Sequence, residues 1–154
     1  MIEIEVDTRA VTNALNNLSK SIDDMTPVFK TIGEHIESEI ANNFRDETDP
    51  YGRDWKPLSP FTIEKRRKGP RPGKDQILND TGNLKNSFSF NAETDQVEVG
   101  TTTNYAPLHQ YGGHGDYGFV PPRPFLPVEE KGLPQEWQQD ILGYINKYIE
   151  RSVK

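Results

Sequence analysis

The stretch from Asn104 to Leu126, NYAPLHQYGGHGDYGFVPPRPFL, constrains the chain more than any other. It holds four of the twelve prolines and four of the twelve glycines beside Tyr105, Tyr111, Tyr117, Phe119 and Phe125. Neither a long helix nor a long strand tolerates that mixture. A disordered linker is poor in aromatics, because each large ring left in water forgoes about 1.5–3 kcal/mol of burial. The stretch is therefore expected to dock at both ends. Tyr105 to Tyr111 reads as a short helical turn, Gly112, Gly113, Gly115 and Gly118 free a mobile tip over about 111–120, and Pro121, Pro122 and Pro124 stiffen the return. Arg123, held between two prolines, has few backbone conformers, so its guanidinium can be aimed at a carboxylate at little ordering cost. That carboxylate is either internal or on a neighbouring subunit.

At 154 residues the chain fits one domain, 1–154, with a single core. Eighteen basic against 24 acidic residues leave a net charge of −6, which opposes attraction to nucleic-acid phosphates. There are no cysteines, so disulfides and thiolate metal sites are excluded. No run reaches the eighteen or so apolar residues of a membrane span, and Met1 leads directly into Ile2-Glu3-Ile4-Glu5-Val6. A soluble protein made in the cytoplasm is expected.

Ile2, Ile4 and Val6 alternate with Glu3 and Glu5 as in a short strand with one buried face. Asp7 or Thr8 can cap a helix carrying Val11, Ala14, Leu15, Leu18 and Ile22, ending near Asp23. Thr26 followed by Pro27 predicts a second helix with the stripe Val28, Phe29, Ile32, Ile36, Ile40 and Phe44. His35 lies on that helix and is assigned no chemistry. From Arg45 to Gln76 five prolines, three glycines and the cluster Lys65-Arg66-Arg67-Lys68 read as a long irregular connection. Its first half, with Tyr51, Trp55 and Phe61, is expected to dock, and its second, about 64–76, to be mobile. Asp80 and Thr81 cap a turn toward Leu84. Phe88 and Phe90 alternate, as do Val97 and Val99, which predicts a hairpin. Leu133-Pro134 opens a final helix whose broad apolar face, from Trp137 to Ile149, suggests burial against the sheet or a partner. The class is α+β: a small antiparallel sheet packed against two to three helices, with long extended loops.

Chemistry is sparse. His109, His114 and Asp116 are the residue types of a zinc or manganese site and give the alternative reading, a metal-dependent nuclease or hydrolase. Their glycine-rich backbone fixes no ligand geometry. No phosphate-binding loop, nucleophile elbow or paired catalytic carboxylates occur, and no cofactor is expected.

In order along the chain stand Phe44-Arg45, Asp49-Pro50-Tyr51-Gly52, Trp55-Lys56-Pro57-Leu58-Ser59, Thr62, Leu78-Asn79-Asp80-Thr81-Gly82-Asn83-Leu84 and Ser87. Val97-Glu98-Val99-Gly100, Tyr105-Ala106, Leu108-His109-Gln110, Gly112 and Pro122-Arg123-Pro124-Phe125-Leu126 follow. This series resembles the phage virion morphogenesis family, which includes tail completion proteins of P2-like phages and the G protein of phage Mu. The resemblance implies a non-enzymatic role at the tail end or head–tail neck, in the virion and, during assembly, in the host cytoplasm.

Two long loops, one basic and one aromatic, suit a ring in which each subunit offers different surfaces to its neighbours. The expected partners are the chain itself, in a ring that could be hexameric, and tail tube and neck proteins. Neither a membrane nor sequence-specific nucleic acid is expected as a partner. Partner contacts are expected at Lys65, Arg66, Arg67, Lys68, Tyr117, Phe119 and Arg123, and structural anchors at Trp55, Leu84, Tyr105 and Phe125.

Overall fold

The computed structural model describes residues 8–70, 75–128 and 132–153. Among them lie five helices and two antiparallel two-stranded sheets, an α+β fold. The strand expected at Ile2–Val6 lies outside the described residues, as do Arg71 to Lys74.

Helix α1 (Arg9–Asp23) starts after Thr8, whose side chain makes no capping bond. Its stripe forms but is not buried: Val11 and Leu15 are each 60% exposed and Ile22 56%. Helix α2 (Thr26–Asp46) begins one residue earlier than its Thr-Pro signal suggests, with Met25 at the cap position. The Asp24 carboxylate accepts the Thr26 N–H at 3.0 Å and so takes the part expected of the Thr26 hydroxyl. Val28, Ile32, Ile40 and Phe44 on its stripe are buried. The helix stops at Glu47, which adopts the left-handed conformation and returns its N–H to the Asn43 carbonyl.

The connection after α2 is less irregular than its composition suggests. Helix α3 (Pro60–Lys68) occupies its middle, with Ser59 Oγ accepting the Thr62 N–H and Pro60 in the first turn. Lys65 to Lys68 are therefore its last turn, where cations complement the helix dipole. Phe61, expected to fasten the segment, is 67% exposed. Helix α3 presents no buried stripe, so its cap and side-chain contacts hold it instead.

Strands β1 (Phe88–Ala92) and β2 (Val97–Thr101) form the expected hairpin, with Phe90 opposite Val99. They pack against α2. After helix α4 (Ala106–Tyr111), the glycine-rich tip forms a second short hairpin, β3 (Gly113–Gly115) with β4 (Gly118–Val120). Helix α5 (Gln135–Val153) packs chiefly against α2 and α1. Trp137 carries its buried end into the core, and Tyr148 donates to the Asp24 carbonyl at 2.8 Å.

The core is aromatic and assembled from distant segments. Phe44 meets Trp55 edge-on at 5.3 Å, stacks on Phe125 at 5.7 Å and tilts against Phe88 at 5.8 Å. Ile40, Ile77, Leu78, Leu84, Ala106 and Trp137 complete it. Offset and edge-on ring pairs of this kind add about 0.5–1.5 kcal/mol each beyond area burial.

Candidate functional site

Two segments some forty residues apart in sequence face each other across an open cleft of about 1020 Å³. One wall is α3. Its helical period sends Phe61, Thr62, Lys65 and Arg66 into the cleft, while Pro60, Ile63, Glu64, Arg67 and Lys68 line a separate shallow depression. The basic cluster is thus split. Lys68 pairs with Glu64, and Arg67 with Asp75 at 2.5 Å. Arg66 donates to the Gln76 carbonyl at 2.7 Å and lies 3.8 Å from the Asp80 carboxylate. Lys65 places its ammonium 4.3 Å from the centre of the Tyr117 ring, a cation–π contact that joins the two walls.

The other wall is α4 with the β3–β4 hairpin. On α4, Ala106 and Gln110 face the core at i, i+4 spacing, which turns Tyr105, Leu108 and His109 toward the cleft. Tyr117 and Phe119 on the hairpin are 88% and 64% exposed, and His114 meets Phe119 edge-on. The hairpin folds back tightly on Pro122 because residue 112 is glycine. Its φ is 74°, and a Cβ there would lie 2.8 Å from the proline ring. The turn Asp80 to Leu84 closes the far end, with the Leu84 side chain buried.

Arg123 forms part of the floor, and among the described residues it does not pair with a carboxylate. Its Nε donates to the Lys56 carbonyl at 2.7 Å and its Nη2 to the Pro57 carbonyl at 2.9 Å, while its own N–H donates to the His109 carbonyl. These carbonyls belong to irregular backbone with no ladder partner, and the planar guanidinium satisfies two at once. A residue buried to 6% exposure and bonded inward is a brace between two segments, where an outward partner contact was expected. Trp55 and Phe125, 4% and 1% exposed, lie in the core. Tyr105, expected beside them as an anchor, is 40% exposed; its ring rests only edge-on against His109.

The histidines do not make a metal centre. No group of three His, Cys, Asp or Glu side chains able to hold a metal occurs among the described residues. His109 sits on the cleft floor and His114 on the outer hairpin, so the geometry supplies no ligand set for the hydrolase alternative. Burial, then the neighbouring Arg123 and Arg66, hold the His109 imidazole below the usual histidine range. The unfolded chain protonates His109 near its ordinary pKa of 6.5, whereas the folded chain resists. This contribution to stability is therefore full above about pH 6.5, and it is lost as pH falls from there through the lower folded-state pKa. Thermal melts between about pH 7 and pH 5 should show a fall that His109→Gln flattens. Equal slopes in the two proteins would assign the fall to other groups.

Two residues that organise the site, Asp49 and Gln110, stand in the family-like series but receive no role there. Gln110 binds the backbone of Phe125 and Leu126 from inside the core. Asp49, 4% exposed, accepts the Tyr51 and Arg53 N–H groups, each at 2.9 Å, and fixes the turn that leads to Trp55. The Asp-Pro-x-Gly pattern signals that turn. Nothing in the pattern around Gln110 signals its role.

Comparison with known proteins finds relatives along nearly the whole chain. The model of the phage virion morphogenesis family matches residues 6–150. The Mu-like prophage FluMu G protein 2 of Haemophilus influenzae is 33% identical, with both chains covered in full. Protein G of Escherichia phage Mu, named as a candidate capsid assembly protein, is 26% identical over 99% of this chain and 97% of its own length. No solved structure matches. With nearly its whole length matched by the family model, the chain belongs to the phage virion morphogenesis family.

Proposed function

We propose that this morphogenesis protein acts at the tail end or the head–tail neck, as a ring-forming tail completion or terminator protein without enzymatic activity. The observation that carries the reading is the cleft. Its basic helix and aromatic hairpin, drawn from two separate loops, make a surface unlike the exposed stripe of α1 elsewhere on the molecule. A subunit with two different sticky surfaces associates head to tail, and such contacts close into a ring when the rotation allows; six subunits is the number proposed. The excess of acid suits a lumen through which DNA passes without adhering, since carboxylates repel phosphates.

A second reading places the protein in head assembly, as the name of the phage Mu relative suggests. Electron microscopy of particles made without the protein separates the two. Full heads beside unjoined tails support the tail or neck role, and aberrant or missing heads support the other. Self-association is expected in light scattering across a concentration series, alone or with purified tails added. A strict monomer that also fails to bind tails overturns the ring.

A further inference from the structure

The floor of the cleft carries positive charge without a counter-ion. Arg123 is 6% exposed, its guanidinium is held by two backbone carbonyls, and no carboxylate among the described residues pairs with it. Carbonyl dipoles satisfy its N–H groups but do not cancel the charge, and a buried charge without a counter-charge is costly. Beside it, His109 keeps a buried Nδ1 with no hydrogen-bond partner among the described residues. Lys65 and Arg66 add further positive charge on the facing wall, against Asp80 and Asp116. Along the rim the rings of Phe61, Tyr117 and Phe119 are 67%, 88% and 64% exposed. A cleft in which Lys65, Arg66 and Arg123 outnumber Asp80 and Asp116, rimmed by exposed rings, matches an extended segment that alternates acidic and apolar side chains.

We propose that this cleft receives residues 2–7 of a second copy of the chain. Extended, Ile2-Glu3-Ile4-Glu5-Val6-Asp7 spans about 20 Å and puts three apolar side chains on one side and three carboxylates, about 7 Å apart, on the other. The apolar side meets the rings and the acidic side meets Lys65 and Arg66, with the buried charge of Arg123 beneath them. Two copies of net charge −6 repel each other overall, so a contact between them needs a local basic surface opposite a local acidic one. The cleft and this segment supply that pair. The contact joins two different surfaces, so it propagates around a ring; in this the inference rests on the self-assembly proposed above.

The test exchanges charge on each side separately in the full-length chain. Glu3→Lys with Glu5→Lys spoils the segment, and Lys65→Glu with Arg66→Glu spoils the cleft. Because Arg66 also braces Gln76 and Asp80, Lys65→Glu alone serves as a second cleft variant, and melting curves establish that each variant folds. In mass photometry each variant alone should lose self-association by tenfold or more. An equal mixture of the two double variants should recover association, because the acidic segment of one matches the basic cleft of the other and the reversed segment matches the reversed cleft. A labelled peptide of residues 1–7 should bind the Glu3→Lys, Glu5→Lys chain saturably, more weakly as salt rises, and not when Lys65→Glu is added.

Variants that assemble like the wild type, or a peptide that does not bind, overturn the cleft assignment while leaving the ring standing. A peptide that binds a chain whose wild type never associates, even on tails, overturns the ring and places the segment in its own cleft. A mixture that stays monomeric also overturns docking between copies. Displacement of the peptide by a single-stranded homopolymer would assign the cleft to nucleic acid.

Discussion

Phe125→Ala should lower stability by about 3–5 kcal/mol, the cost of removing a fully buried ring that its surroundings cannot collapse to fill. The side chain is 1% exposed, stacked on Phe44 and edge-on to Phe88 at 5.4 Å, so helix, hairpin and proline-rich return all border the void. Three elements tied by their own hydrogen bonds cannot close on one another. Chemical denaturation should show the loss as a lower midpoint with an unchanged slope, and the melting temperature should fall by roughly ten degrees. Trp55→Ala should cost a similar amount, since it also abandons the bond from the indole N–H to the Pro124 carbonyl at 2.6 Å. Trp55→Phe should cost less, because the ring contact with Phe44 survives while that carbonyl loses its donor. A change below about 0.5 kcal/mol in either alanine variant, the level of a surface substitution, would show that the rings do not hold the loops to the core.

The elements that were legible in the sequence are those whose burial follows a local period. The stripe from Val28 to Phe44 repeats at helical spacing over some five turns, and the alternation at Phe88–Phe90 and Val97–Val99 repeats at strand spacing. Both became the elements they signalled. Helix α3 broke that link. Its cap, Ser59 before Pro60, was in plain view, but Phe61 and Ile63 give no apolar stripe, and a run of like charges between prolines reads as loop. Tyr105 failed as an anchor for a related reason: an aromatic identity says that a ring gains by burial, not that its helix turns it inward. Here Ala106 and Gln110 took the inward face.

The candidate site was legible only as separate parts. A basic run and an aromatic loop could each be singled out, but their meeting across the cleft depends on the tertiary path of a connection whose contacts have no sequence period. Arg123 shows the limit most clearly. An arginine between prolines predicts an aimed guanidinium, and the sequence has acids to offer it, yet the structure uses two backbone carbonyls. Carbonyls are present at every residue, so nothing in the sequence marks the two that are left free.

The same reasoning makes Gln110→Leu the most instructive change at the site. The Gln110 amide is 6% exposed and makes three bonds to one stretch of backbone. Its Oε1 accepts the N–H groups of Phe125 and Leu126 at 3.0 and 3.1 Å, and its Nε2 donates to the Leu126 carbonyl at 2.9 Å. In effect one side chain replaces a strand partner for a segment that prolines keep out of any sheet. Leucine has nearly the same volume, so the change opens little cavity and isolates the polar loss. The Phe125 and Leu126 N–H groups are left unsatisfied, at about 1–3 kcal/mol each when water cannot reach them, while the Leu126 carbonyl keeps the Val128 N–H. The expected cost is of order 2–4 kcal/mol, held below the full sum because the loop can shift to admit water. Hydrogen exchange should rise first at the Phe125 and Leu126 amides. The β1–β2 hairpin, which Gln110 does not touch, should keep its protection up to the lowered global stability. Because the proline-rich return carries Arg123, loosening it should also enlarge the cleft and weaken binding of the residue 1–7 peptide while Lys65 and Arg66 remain in place. A Gln110→Leu protein as stable as the wild type, with those two amides still protected, would show that the return is held by ring packing alone.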